Sequence, residues 1–135
     1  MNGDLLVIAG STALLGAAVH GIGGDLLVVR KLSVDTLPST VFGGPRRTKL
    51  MIQVAWHMAT IGLVTVAVMA LLAGTVLEGD TAQGFGLVAA AASTGFAVIA
   101  LGLMAIYREK PSLLVRHPGP PLLIAIPTLM WLGAV

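Results

Sequence analysis

Two histidines, His20 and His57, stand inside apolar stretches of the chain. The residue types that could work with them are Asp25, Lys49, Gln53, Trp56, Thr60 and Thr94. Lys49, Gln53, Trp56, His57 and Thr60 share one helical face, since at about 100° per residue they cover about a quarter of the circumference. An ionisable side chain inside a membrane span is costly unless it faces protein or water, so it marks a candidate site. Four chemistries compete for the histidines. The first is interhelical hydrogen bonding to Thr60, Thr94, Gln53 or a backbone carbonyl, for which neutral imidazole is the least costly ionisable group. The second is handling of a proton or small polar solute, with Gln53 and Lys49 leading inward. The third is ligation of haem or of a transition metal such as Zn, Cu or Fe by His20 and His57. A metal ordinarily requires a third ligand, and no other His, Cys or carboxylate falls at that depth. The fourth is catalysis, for which the sequence assembles no nucleophile, base and orienting acid in one place.

The elements that must position these residues are membrane spans. The chain is 56% hydrophobic and 10% charged, against roughly 25% charged in soluble domains. A hydrocarbon core about 30 Å thick needs about 20 apolar residues in helical form. Four segments approach that length: 5–29, 50–73, 85–107 and a shorter one at 120–135, with Pro120 and Pro121 at its start and a kink expected at Pro127. The expected fold is all-α, a single polytopic transmembrane domain over 1–135 forming a four-helix bundle with a short, proline-kinked fourth helix. His20 precedes the end of the first span and His57 follows the start of the second, so both lie roughly 11–14 Å from the same boundary at about 1.5 Å per residue.

Charge sets the expected orientation. All eight Lys and Arg residues fall between Arg30 and Lys49 or between Arg108 and Arg116, whereas Asp4, Glu78 and Asp80 sit on the opposite side. The positive-inside rule places both basic loops in the cytoplasm and both termini outside, in the inner (plasma) membrane. The basic residues flank spans and make no free-standing patch, which argues against nucleic acid as a partner. With no cysteine, disulfides and thiolate metal sites are excluded. The first span has no basic residue before it and is expected to be retained as a helix and not cleaved as a signal peptide. Thr48 is the expected N-cap of the second helix. Asp25, five residues from His20 and about 140° away on a straight helix, is expected to face Arg30, Lys49 or Arg46 unless Gly21, Gly23 and Gly24 distort the turn.

Small residues mark where helices can approach in lipid. Gly10, Ala13, Ala17, Gly21 and Gly24 make one such seam, and Ala90, Ser93, Ala97 and Ala100 another. Trp56 is expected to pack beside His57, and Trp131 to anchor at the outer interface. His117, in a proline-rich loop, is expected to be exposed or bonded to backbone.

The run Val19-His20-Gly21-Ile22-Gly23-Gly24-Asp25, followed by Ala55-Trp56-His57-Met58 and His117-Pro118, resembles a family of small uncharacterised bacterial membrane proteins with four helices. The resemblance implies that His20, Asp25, Trp56, His57 and His117 act together, and it carries no activity. The leading expectation is a non-catalytic component of a membrane complex or homo-oligomer with a polar, histidine-containing interior. The alternative is a membrane-embedded haem or metal binder, or a proton-linked small-solute transporter, using His20 and His57.

Overall fold

The structure, a computed structural model, describes residues 1–107 and 119–135. The expectations for Arg108, Lys110, Arg116 and His117 lie outside the described residues.

The described chain is all-α apart from an isolated bridge between Thr40 and Gly43. Helix α1 (Gly3–Ala18) runs into a π turn (Val19–Gly23), then α2 (Gly24–Leu27) and a 3-10 turn (Val29–Lys31). After a second 3-10 turn (Val34–Thr36) come α3 (Pro45–Thr75), α4 (Gly79–Ile106) and α5 (Gly119–Ala134). Three helical stretches are long and apolar enough to cross a membrane: Gly3–Lys31 with 29 residues, Pro45–Thr75 with 31 and Gly79–Ile106 with 28. At 16 residues α5 is shorter, about 24 Å at 1.5 Å per residue. Pro127 sits inside α5.

Helices α3 and α4 both begin several residues before the apolar runs read from the sequence. Hydropathy finds the part of a helix that lipid accepts, and Arg46, Arg47, Thr48 and Lys49 form polar first turns that water also accepts. Thr48 is therefore not the cap of α3. The helix starts at Pro45, where a missing N–H leaves nothing unsatisfied, and the Thr48 hydroxyl instead donates to the Pro38 carbonyl at 2.9 Å. Asp4 and Asp80 fall in the first turns of α1 and α4, where a carboxylate complements the helix dipole.

The chain forms two compact units, one of Met1–Gly16 with Leu63–Val135 and one of Ala17–Gly62. The core of the first unit is mostly alanine: Ala9 and Ala13 from α1, Val66, Ala67 and Ala70 from α3, Ala89 and Ala90 from α4, and Met130 from α5. Close backbone approach through small side chains is how helices gain packing in lipid, where no hydrophobic force draws them together. At Gly10 the space is filled by α3, since a Cβ would lie 2.8 Å from Leu71 Cγ. Asn2 N–H donates to the Gly133 carbonyl at 2.7 Å, tying the N-terminus to α5. Hydroxyls in the spans satisfy themselves on their own helices: Thr12 donates to Ile8 O, Thr75 to Leu71 O, Ser93 and Thr94 to Ala90 O, and Thr128 to Ile124 O. This lets them sit among apolar groups without an orphaned donor.

Candidate functional site

Apart from Thr94, the polar residues singled out by type and spacing lie in the unit Ala17–Gly62, around the π turn. A π turn bonds i to i+5 and takes one residue more than an α turn. Asp25, five residues after His20, therefore comes round to the His20 side of the helix instead of pointing across it. Both residues then face α3, where His20 meets Trp56 and Thr60 and Asp25 meets His57. Glycines make the approach possible. Gly21 lies against Thr60, and Gly24 against the Trp56 ring.

His20 is held from three directions. Its ring stacks on Trp56 with centroids 4.3 Å apart and planes 6° from parallel. Its carbonyl accepts the Trp56 Nε1–H at 2.9 Å. Its Nδ1 lies 3.0 Å from Thr60 Oγ1, whose hydroxyl in turn lies 3.0 Å from the Trp56 carbonyl. Thr60 has one proton, and a carbonyl can only accept, so the hydroxyl donates to Trp56 O and accepts from His20 Nδ1–H. That network assigns His20 its Nδ1–H tautomer and leaves the lone pair on Nε2. The structure thus pairs Trp56 with His20, not with His57 as the sequence order suggested.

Asp25 is buried, at 5% exposure. Its Oδ2 accepts from Arg30 Nε at 2.6 Å, one of the partners expected for it. Its Oδ1 is buried with no hydrogen-bond partner among the described residues. The nearest histidine nitrogen, His57 Nε2, stands 3.7 Å away, beyond hydrogen-bonding range. Lys49 does not reach Asp25. Its ammonium donates to the carbonyls of Leu32 at 2.8 Å and Arg30 at 3.3 Å, closing the end of the first helical stretch against the start of α3. Gln53 is half-buried and makes no side-chain hydrogen bond among the described residues.

Thr94 belongs to the other unit, where its hydroxyl donates to Ala90 O at 2.8 Å and accepts from Trp131 Nε1 at 3.1 Å. Trp131 is thus bonded to α4, a role that its place near the end of the chain did not disclose.

The arrangement fastens the first helical stretch to α3. A histidine donating Nδ1–H to a fixed acceptor with Nε2 free is oriented as metal-bound histidines are. A metal centre needs more donors than that, and among the described residues no three His, Cys, Asp or Glu side chains come together as a ligand set. Two histidines remain as the possible axial pair for a haem, and one of them is pinned between Trp56 and Thr60.

The fastening reading makes a measurable claim. Thr60→Val removes the acceptor of His20 Nδ1–H while keeping the shape of the side chain. It should lower stability by about 0.5–1.5 kcal/mol, the range for a hydrogen bond of this kind, read from thermal unfolding in detergent. An unchanged midpoint would show that the His20–Thr60 bond carries no weight.

The chain matches no protein-family model, no curated protein and no solved structure.

Proposed function

We propose that the chain is a non-catalytic integral membrane protein that works as a homo-oligomer, its polar centre bracing the fold and its α4 helix making the contact between copies. The observation that carries the reading is the outward face of α4. Gly84, Val88, Ala91, Gly95, Val98, Gly102 and Ala105 recur at alternating intervals of four and three, and all are exposed. A Cβ built at Gly84, Gly95 or Gly102 would meet no described atom within 4 Å. Residues at this spacing lie on one side of a helix. In lipid, small side chains there bring two backbones close together. The inward seam of α4, with Ala90, Ser93 and Ala97 buried, is already used within the chain, so the outward one is available. Only 22% of the most apolar stretch of α4 is buried, which leaves the rest to lipid or to another helix.

The polar centre supports the same reading. His20, Trp56 and Thr60 are bonded to one another, and Asp25 to Arg30, and a centre so occupied braces a fold. The distribution of charge supports insertion in the inner membrane with both termini outside and the basic residues 30–49 in the cytoplasm. Helix α5, shorter than the core is thick, completes a four-helix bundle as a partial span.

The absence of native cysteine makes the test direct. In membranes treated with a mild oxidant, Gly95→Cys and Gly102→Cys should give disulfide-linked dimers. Leu15→Cys, at a position 70% exposed on α1, should not. Adding Gly95→Leu to the Gly102→Cys chain should cut the dimer by about fivefold, the equivalent of about 1 kcal/mol in association. Equal cross-linking at all three cysteine positions would mean random collision and would overturn the reading.

A further inference from the structure

Residues 32–44, which join the first helical stretch to α3, form a built loop with an apolar tip. Ser33 caps the Val34–Thr36 turn by accepting the Asp35 N–H at 3.3 Å. Thr40 and Gly43 exchange backbone hydrogen bonds of 2.8 and 3.0 Å, and the Phe42 N–H donates to Thr40 Oγ1 at 3.3 Å. Gly43 adopts φ 138°, a conformation that side-chain-bearing residues rarely take. The turn pushes out two apolar side chains in sequence, Val41 at 95% exposure and Phe42 at 64%.

The loop is also held at a definite level. Thr48 bonds to Pro38 O, and Lys49 to the carbonyls of Arg30 and Leu32. Residues 30–38 therefore lie level with the first turns of α3, immediately before Leu50, where the apolar run of α3 begins. The tip follows within a few residues, and the stem of Arg47 runs beside it, since a Cβ at Gly43 would lie 2.8 Å from Arg47 Cδ. Arg46, Arg47 and Lys31 are all exposed, on the segments that flank the loop, with Asp35 the one acid in it.

An exposed valine–phenylalanine pair on a fixed turn, with Arg47 beside it and Arg46 next in sequence, at the end of a span, matches a negatively charged lipid surface. Apolar side chains enter the boundary between headgroups and acyl chains, and Arg and Lys meet the phosphates. We infer that Val41 and Phe42 are seated in the headgroup region of the leaflet on which the basic loop lies, and that Arg46 and Arg47 bind the phosphates of anionic phospholipid there. The inference rests on the chain's crossing the membrane and is independent of its self-association.

The test uses the full chain with Phe42→Trp, reconstituted into vesicles of phosphatidylcholine alone or mixed with phosphatidylglycerol. Trp56 and Trp131 are removed from the signal by subtracting the spectrum of the unsubstituted protein. In the mixed vesicles the added tryptophan should emit at short wavelength and be quenched by phospholipids brominated near the headgroup. Quenching should be weaker by about twofold in phosphatidylcholine alone, and weaker by a similar factor in the mixed vesicles when Arg46→Gln and Arg47→Gln are added. Emission typical of water, quenched by iodide and not by brominated lipid, would overturn the seating and leave the tip free for a soluble partner. Lipid quenching that ignores both phosphatidylglycerol and the arginines would overturn the phosphate contact. Neither failure bears on the cysteine cross-linking, so the two proposals stand or fall separately.

Discussion

Replacing Gly24 by alanine should lower stability by about 1–3 kcal/mol, the usual cost of forcing a methyl group into a filled space. A lower unfolding midpoint in detergent and an altered Trp56 emission would report it. A Cβ at Gly24 would overlap Trp56 Cζ2 and lie 3.0 Å from Cε2. The indole is held against Gly24, because one face is stacked on His20 and its Nε1–H is bonded to the His20 carbonyl. Moving the ring breaks the stack and the bond together. Backbone strain is not involved, since Gly24 has φ −65°. Helix propensity alone predicts the opposite sign, alanine being better than glycine by about 1 kcal/mol inside a helix. The neighbouring Gly23 separates the two effects. A Cβ there would meet only Val19 Cγ1, at 3.9 Å, so Gly23→Ala should be neutral or mildly stabilising. Equal stability of the two alanine variants would mean that the Trp56–His20 contact is not held as described.

The reach of the sequence follows from which physical demand writes each feature. Lipid demands long apolar runs, so the three long spans are legible in composition and hydropathy. Close packing demands small residues, so the seam from Gly10 to Gly24 is legible as spacing. The stripe of Lys49, Trp56 and Thr60 is legible because side-chain needs repeat at the helical period, and all three do face the first helical stretch. The π turn is different. A straight helix places Asp25 away from His20, and only the cluster Gly21, Gly23 and Gly24 hints that the backbone bulges there. That one inserted residue decides that Asp25 faces His57 and that the His20 carbonyl meets Trp56. Nor does hydropathy separate an inward small residue from an outward one. Ala90 and Ala91 look alike in sequence, yet Ala90 is buried and Ala91 exposed. The outward face of α4 is thus visible only once the inward one has been found. The start of α3 escapes hydropathy for a related reason, because a polar first turn is helical without being apolar.

Arg30→Ala should destabilise the protein, and adding Asp25→Asn should restore part of the loss. Asp25 is buried, and its Oδ2 depends on the Arg30 guanidinium at 2.6 Å. Removing one partner of a fully buried ion pair costs about 3–5 kcal/mol, chiefly because the other charge is left unpaired. Here the Arg30 side chain is 65% exposed, so solvent screens the pair and the expected loss is smaller, about 1–2 kcal/mol. The carboxylate is the costly member. Its Oδ1 already lacks a hydrogen bond among the described residues, where the nearest histidine nitrogen is His57 Nε2 at 3.7 Å. Asparagine keeps the shape and removes the charge, so the double variant should be more stable than Arg30→Ala alone, a coupling opposite in sign to simple addition. Unfolding midpoints of the two single variants and the double variant decide it. If the losses add, Arg30 does not support Asp25, and the buried carboxylate is held in place by some other group. If the double variant recovers, the pair is a brace, in which an exposed arginine lets a buried acid stay beside the π turn, where His57 can face it.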